Sequence, residues 1–325
     1  LAVNVAGKAL DPETGQRLYR ETEGNPLFVV ETLRAGLPAP QDSTEIEGMD
    51  LPPRVQAVLE TRLAQLSPPA RELAGLAATI GREFTFPVLR AAGDGDEDAL
   101  VQGLDELWQR RIVRVRAASA YDFGHDKLRD VAYSSLGPVR CQLLHRRVAQ
   151  ALESVHASDP DAVARRIAVH YDRAGLAEQA IPYYLQAGQA ANRIYANEEA
   201  VASFQRGLAL LEKGTWDPSQ QDWRREMAAG LWEGLGDAQL LSKPEESRLA
   251  YQNALQEAGQ DDRLRQARLL RLIGSTWNAQ GQFDRTLHEY DRAEACLGTE
   301  PFEPAADWWR EWLQLHNSRV YPLYA

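Results

Sequence analysis

The chain has 325 residues, is 44% hydrophobic and 26% charged, and carries a net charge of -11. That length suits two or three domains, and the composition is that of folded globular protein rather than a disordered or fibrous one. The acidic balance disfavours a phosphate-backbone partner, and two distant cysteines, Cys141 and Cys296, give neither a disulfide framework nor a metal-ligand spacing.

No apolar run approaches the ~18 residues of a membrane span, and no signal peptide is visible. These features lead to the expectation of a cytoplasmic protein with no membrane partner. The chain has no starting Met, opens on "LAVNVAG" and ends on "NSRVYPLYA" in a helix-like run. Both ends are expected to be boundaries within a larger protein.

Residues 11–36 read as helix, turn, helix. The first helix carries Leu18 and Tyr19 and ends at Gly24, a suitable C-cap. Asn25 and Pro26 suit the start of the next helix, as cap and first helical residue, and "LFVVETLRAG" closes at Gly36. Residues 37–52, rich in proline and small polar side chains, read as a linker.

From Pro53, Val55, Val58, Leu59, Leu63 and Leu66 fall at helical spacing. Ser67 caps a second helix that Gly81 stops, and "FTFPVLRAA" suggests a short third. A fourth spans "DGDEDALVQGLDELWQRR", with Leu100, Leu104, Leu107 and Trp108 expected inward. "IVRVRAASAYDFGH" then alternates on both sides of a small-residue turn, the pattern of a hairpin. Helices followed by a two-stranded wing give a winged-helix domain, placed at 53–155. Two further helices, "DKLRDVAYSSL" and "RCQLLHRRVAQALESV", follow the hairpin, with Asp126 a candidate cap for the first.

Residues 156–325 read as helical repeats. Tyr171, Gly175, Ala180, Tyr184 and Ala187 hold tetratricopeptide positions, as do Gly274, Trp277, Gly281, Tyr290 and Ala293, with Thr286 in place of the usual Ala. Trp232, Gly236, Tyr251 and Ala254 form a copy one residue shorter, and Ala200 and Phe204 mark a weaker one. The small residues let helices approach while aromatics fill the gaps. Seven of the eight tryptophans, Trp216 to Trp312, fall here and read as gap-fillers. The fold expected is therefore mainly α: a winged-helix domain with a small β-hairpin, then a tetratricopeptide-like α-α superhelix truncated at its C-terminus.

Catalytic motifs are missing. There is no GxxxxGK[ST], HExxH or GxSxG, and no Cys/His cluster with metal spacing. His145, His156, His170, His288 and His316 sit in helix-like runs and read as packing or surface residues. The acidic pairs Asp261-Asp262 and Glu245-Glu246 read as solvated charge. The helix that would enter a DNA groove carries Asp96, Glu97, Asp98, Asp105 and Glu106 against Arg110 and Arg111, the wrong sign for that task. No direct nucleic-acid contact is expected.

Two stretches stand apart: Gly24-Asn25-Pro26-Leu27-Phe28, and "YDFGHDKLRDVAY", in which His125 leaves the wing strand. With "LPPRVQAVLETRLAQLSP", "LLHRRVAQALE" and the repeats, in this order along the whole chain, the sequence resembles the C-terminal half of the STAND class of AAA-related signal-transduction ATPases. That class includes large LuxR-type bacterial regulators and the maltose-regulon activator family. The resemblance makes residues 1–36 the end of a helical lid. It implies that Pro26 packs against the adenine and ribose, and that His125 reaches the β-phosphate in an ADP-bound resting state. Both roles suit the chemistry: proline offers a rigid apolar face, imidazole a donor to an oxyanion. In the plainer reading, Pro26 starts a helix and His125 is a strand-end residue bonded to the next helix.

The family's phosphate loop, Mg-binding acid and sensor arginine would precede Leu1. The chain alone is therefore expected to be no enzyme and to hold no cofactor, while the full-length protein is expected to bind ADP or ATP with Mg. Expected partners are the chain's own upstream ATPase core and a protein or small-molecule effector on the repeats. The alternatives are an interaction scaffold with a vestigial nucleotide site, or a regulatory module governing a cyclase or kinase.

Overall fold

Prolines and small polar caps cut the first half of the chain into short helices, and longer uninterrupted amphipathic runs make the second half. The structure is a computed structural model that describes residues 11–22, 24, 26, 29, 30, 33, 53–117, 120–259, 261–302 and 305–324. The expected cap at Asn25, the helix end at Gly36 and the linker at 37–52 lie outside the described residues. Two compact units comprise Leu1–Ala151 and Leu152–Ala325.

In the first unit, α1 (Pro12–Thr22) starts where Asp11 Oδ1 accepts the Thr14 N–H at 2.8 Å. The Thr14 amide also holds the Asp11 carboxyl below its ordinary value. Gly24 follows in a turn at φ +73°, a left-handed conformation that glycine adopts without steric cost. Helices α2 (Pro53–Ala64) and α3 (Pro68–Ile80) come next. Ser67 caps α3 by accepting the Ala70 N–H, and donates from its own N–H and Oγ to Glu106 at 3.0 and 2.6 Å. Thus one of the five acids of the acidic helix is occupied inside the fold. Gly81 stops α3, as its position in the sequence suggests.

Strand β1 (Glu83–Thr85), α4 (Phe86–Ala92), α5 (Glu97–Gln109), β2 (Val113–Ala117) and β3 (Ala120–Phe123) follow. The wing is not two-stranded: an antiparallel sheet of order β1-β3-β2 pairs Phe84 with Tyr121 and Val113 with Phe123. Three residues are too few for β1 to show an alternation in sequence. From α3 to β3 the elements run helix, strand, helix, helix, strand, strand. Leu73, Leu76, Phe84, Leu89, Leu104, Leu107, Ile112 and Phe123 are buried in this unit. Trp108, expected inward, is 55% exposed: the buried face of α5 runs through Leu100, Gly103, Leu104 and Leu107, and Trp108 falls beyond its edge. Helices α6 (Asp126–Ser134) and α7 (Pro138–Val155) complete the unit. The division between units falls inside α7, whereas the sequence places it after residue 155.

The second unit contains α8 (Ala164–Arg173), α9 (Ala177–Arg193), α10 (Asn197–Lys213), α11 (Gln221–Gln239), α12 (Pro244–Glu257), α13 (Arg263–Ala279), α14 (Phe283–Leu297) and α15 (Ala305–Tyr324), a tetratricopeptide-like superhelix. Its repeat has a concrete physical basis. Gly188, Gly236 and Gly274 each lie against the ring of Phe204, Tyr251 or Tyr290, so near that an added Cβ would stand 2.4 Å from a ring carbon. The absent side chain in one helix makes room for the aromatic of the next. Gly188 supplies the first half of the weak copy, so α9 serves two successive repeats. Asp262, read as solvated charge, caps α13 by accepting the Arg265 N–H at 3.0 Å. Of the terminal tryptophans, Trp308 is 2% exposed and donates to the Leu297 carbonyl, whereas Trp309 is 48% exposed.

The turns repeat as well. Gly175, Tyr195 and Gly281 each stand two residues before a helix, at φ 75°, 59° and 69°. The following residues, Leu176, Ala196 and Gln282, donate to the carbonyls of Tyr171, Ala191 and Trp277. Only Tyr195 has a Cβ to strain in this left-handed conformation, and it is 84% exposed. Tyr195→Gly is therefore expected to stabilise the unit by about 0.5–1 kcal/mol, read as a higher thermal midpoint; a lower midpoint would mean that the ring packs.

Candidate functional site

The sequence singles out Pro26 and His125. Pro26 has helical backbone, and its ring is exposed. His125 sits where β3 ends and α6 begins. It has extended backbone, is 7% exposed, and is itself the N-cap of α6: Nδ1 accepts the Lys127 N–H at 3.1 Å. Asp126, the candidate cap in sequence, is instead the first helical residue and pairs with Arg82 at 2.6 Å. An imidazole can hold this position because one ring nitrogen accepts a backbone N–H as a cap oxygen would.

The cap has a chemical consequence. With Nδ1 the acceptor, the neutral ring carries its proton on Nε2. His125 can thus donate from Nε2 without being charged, whereas protonating Nδ1 would break the cap. The two residues before it are fixed in turn: Phe123 is fully buried, and Gly124 donates to the Ile112 carbonyl at 2.8 Å while a Cβ there would lie 3.1 Å from the Arg111 carbonyl oxygen. Arg129 pairs with its neighbour Asp130 at 2.8 Å.

Beside this junction, on β3, lies a carboxylate that sequence reasoning missed. Asp122 is fully buried, accepts from Arg114 at 2.7 and 3.0 Å and from Arg116 at 2.8 Å. Burial pushes its carboxyl up, but the two arginines outweigh this and hold it below its ordinary value of 3.8. The alternation of arginines in "VRVRA" is the sequence signal that could have found it. Asp122→Ala is expected to cost the first unit about 2–4 kcal/mol, less than a wholly buried pair because both guanidinium groups are half-exposed. Since the folded value is depressed, the contribution is present above pH 3.8 and disappears as pH falls through the folded value. Denaturation of the wild type and variant should therefore differ at pH 7 and converge in stronger acid; a constant difference would contradict this.

In the second unit, a ladder of charge joins alternate helices. Glu226 and Glu233 of α11 meet Arg265 of α13 at 2.8 and 3.2 Å, and Arg268 also reaches Glu233 at 2.8 Å. Arg271, further along α13, forks onto Glu311 of α15 at 2.5 and 3.2 Å and donates to Gln314 at 2.8 Å. Asp237 accepts from the Tyr251 hydroxyl at 2.7 Å, and burial pushes its carboxyl up against that bond. These helices alternate with those carrying the buried aromatics Phe204, Tyr251 and Tyr290. Within each helix these acids and arginines recur at about one or two helical turns, but their partners lie 32 to 40 residues away in another helix, which the spacing alone does not reveal.

Among the described residues no group of three or more His, Cys, Asp or Glu could hold a metal ion, and no helix is long and apolar enough to cross a membrane. No protein-family model matches the chain. An uncharacterized protein of Rhizobium meliloti (strain 1021) is 28% identical over 290 residues, covering 86% of this chain, and this chain spans 28% of that relative's length. Among solved structures, BtubC (BKLC) from P. vanneervenii is similar at a TM-score of 0.38 and 15% identity, over 75% of this chain and 94% of its own. The Signal Transduction ATPase with Numerous Domains protein with a tetratricopeptide repeat sensor from Pyrococcus horikoshii is similar at a TM-score of 0.33 and 12% identity, over 99% of this chain and 57% of its own.

Proposed function

We propose that this chain is the regulatory and sensor portion of a STAND-type nucleotide switch in a bacterial transcriptional regulator. In this reading the ATPase core is supplied by a preceding segment, onto which the winged helix docks. Pro26 meets the adenine and ribose, His125 donates to the β-phosphate of ADP, and the repeats take a protein or small-molecule effector. The chain itself carries out no hydrolysis; bound nucleotide and Mg supply the phosphoryl chemistry within the core.

The observation that carries this reading is the fixed imidazole at the β3–α6 junction. Nδ1 accepts the Lys127 N–H, so the fold sets the ring's orientation, and in this reading Nε2 donates to the phosphate. A near-complete change of population needs a differential affinity of about 5.5 kcal/mol. One charge-assisted hydrogen bond contributes about 1.5–3 kcal/mol, enough to bias the switch without setting it alone.

The test follows from the cap. His125→Asn keeps an acceptor at the Nδ1 position for the Lys127 N–H, and Asn is a good cap, but it removes the Nε2 donor. In the longer natural protein, His125→Asn is expected to fold normally and to raise basal output. Normal folding with unchanged basal output would remove His125 from the switch.

A further inference from the structure

The repeat unit contains a cavity of about 570 Å³ that lies apart from both Pro26 and His125 in sequence. Its walls come from the end of α12, the first turns of α13, the last turns of α14 and Arg225 near the start of α11. That volume lies in the range of small-molecule sites. Leu255 and Leu270 form an apolar floor continuous with the core around Trp308 and Tyr290. The polar lining is Arg225, Arg292, Gln256, Gln266 and the Cys296 thiol.

The charge of this lining is the informative feature. The chain as a whole carries a net charge of -11, yet among the described residues no carboxylate lines the cavity and two arginines do. Each arginine has an acid outside the lining. Arg225 stands 4.0 Å from Glu257, too far for a hydrogen bond, and Arg292 meets Glu289 at 2.7 Å through one nitrogen. Their side chains are about half exposed, at 49% and 50%. A guanidinium has five N–H donors, so one such contact leaves donors on both groups for an oxyanion. Bidentate recognition of a carboxylate is the use to which that fork is best suited.

We propose that this cavity is a binding site for a small amphipathic carboxylate, its anionic head on Arg225 and Arg292 and its apolar body on Leu255 and Leu270. An inorganic anion would leave the apolar floor uncovered, and a neutral ligand would leave the remaining N–H donors of both arginines unused. The site uses only residues of the repeat unit. It stands or falls independently of the nucleotide reading, because binding to this chain neither needs nor reports ADP.

The probe is dansylglycine, a fluorescent carboxylate with an apolar body, set against neutral dansylamide with the same body. The 325-residue chain is expected to bind one dansylglycine, at least about tenfold more tightly than dansylamide. Arg225→Gln and Arg292→Gln together are expected to abolish that preference. Cys296 provides a second readout that needs no variant: bound dansylglycine should slow its alkylation by iodoacetamide about tenfold while Cys141 reacts at an unchanged rate. Equal affinity for the two probes, no binding at millimolar concentration, or equal effects on both cysteines would each overturn the proposal. So would a carboxylate preference that survives loss of both arginines.

Discussion

Glu311→Ala is expected to destabilise the repeat unit by about 3–5 kcal/mol. The side chains of Arg271 and Glu311 are 12% and 6% exposed, and their contact is a two-pronged fork between α13 and α15. Removing the carboxylate leaves a guanidinium that is mostly withdrawn from water, with Gln314 as its remaining neutral acceptor. The cost is that of a stranded charge, not the net contribution of the pair. Replacing both partners, as Arg271→Met with Glu311→Leu, should therefore recover most of the loss. Chemical denaturation of the two single variants and the double variant gives the coupling directly. A single-variant cost below about 0.5 kcal/mol would mean that water reaches Arg271 and the fork is a surface contact.

Phe204→Ala should cost about as much, 3–5 kcal/mol, for a different reason. Phe204 is fully buried, and its ring is seated between two glycines: a Cβ on Gly188 would stand 2.4 Å from it, and one on Gly234 2.3 Å. The ring also belongs to the cluster of Ile181, Leu211, Leu231, Leu235 and Ala250 that joins four helices. Truncation opens a cavity that rigid backbone on both sides cannot close. The converse substitution, Gly234→Ala, presses a methyl group into the same ring and is expected to cost about 1–3 kcal/mol. The two variants combined should be less destabilising than the sum of their separate costs, since the smaller side chain at 204 makes room for the methyl. Simple additivity in a denaturation series would show that the glycine and the ring do not share one space.

How much of this was legible in the sequence depends on how local the cause is. The Ser67 cap, the Gly81 stop and the tetratricopeptide positions from Tyr171 to Ala293 rest on residues within a turn or a fixed offset of each other, and the mainly α fold follows from them. Strand β1 did not show itself because its partner lies in a distant hairpin and three residues carry no period. Gly188 was hidden because α9 serves two repeats, which a search for separate copies does not anticipate. His125 was found as a candidate but its cap was assigned to Asp126, since imidazole is an uncommon cap. Asp122 looked like an ordinary strand residue; only the register that sets β3 beside β2 brings Arg114 and Arg116 onto it.

If this chain forms half of a nucleotide switch, a longer protein that carries it behind an ATPase core should hold nucleotide when purified without any added. The protein is denatured, the released small molecules are identified by chromatography, and the His125→Asn variant and this 325-residue chain are treated alongside. The account predicts ADP from the longer protein, less ADP from His125→Asn, and none from this chain alone. Equal ADP from the wild type and His125→Asn would contradict the role of the imidazole, and no nucleotide from any of the three would favour an interaction scaffold in which Pro26 does no more than start a helix.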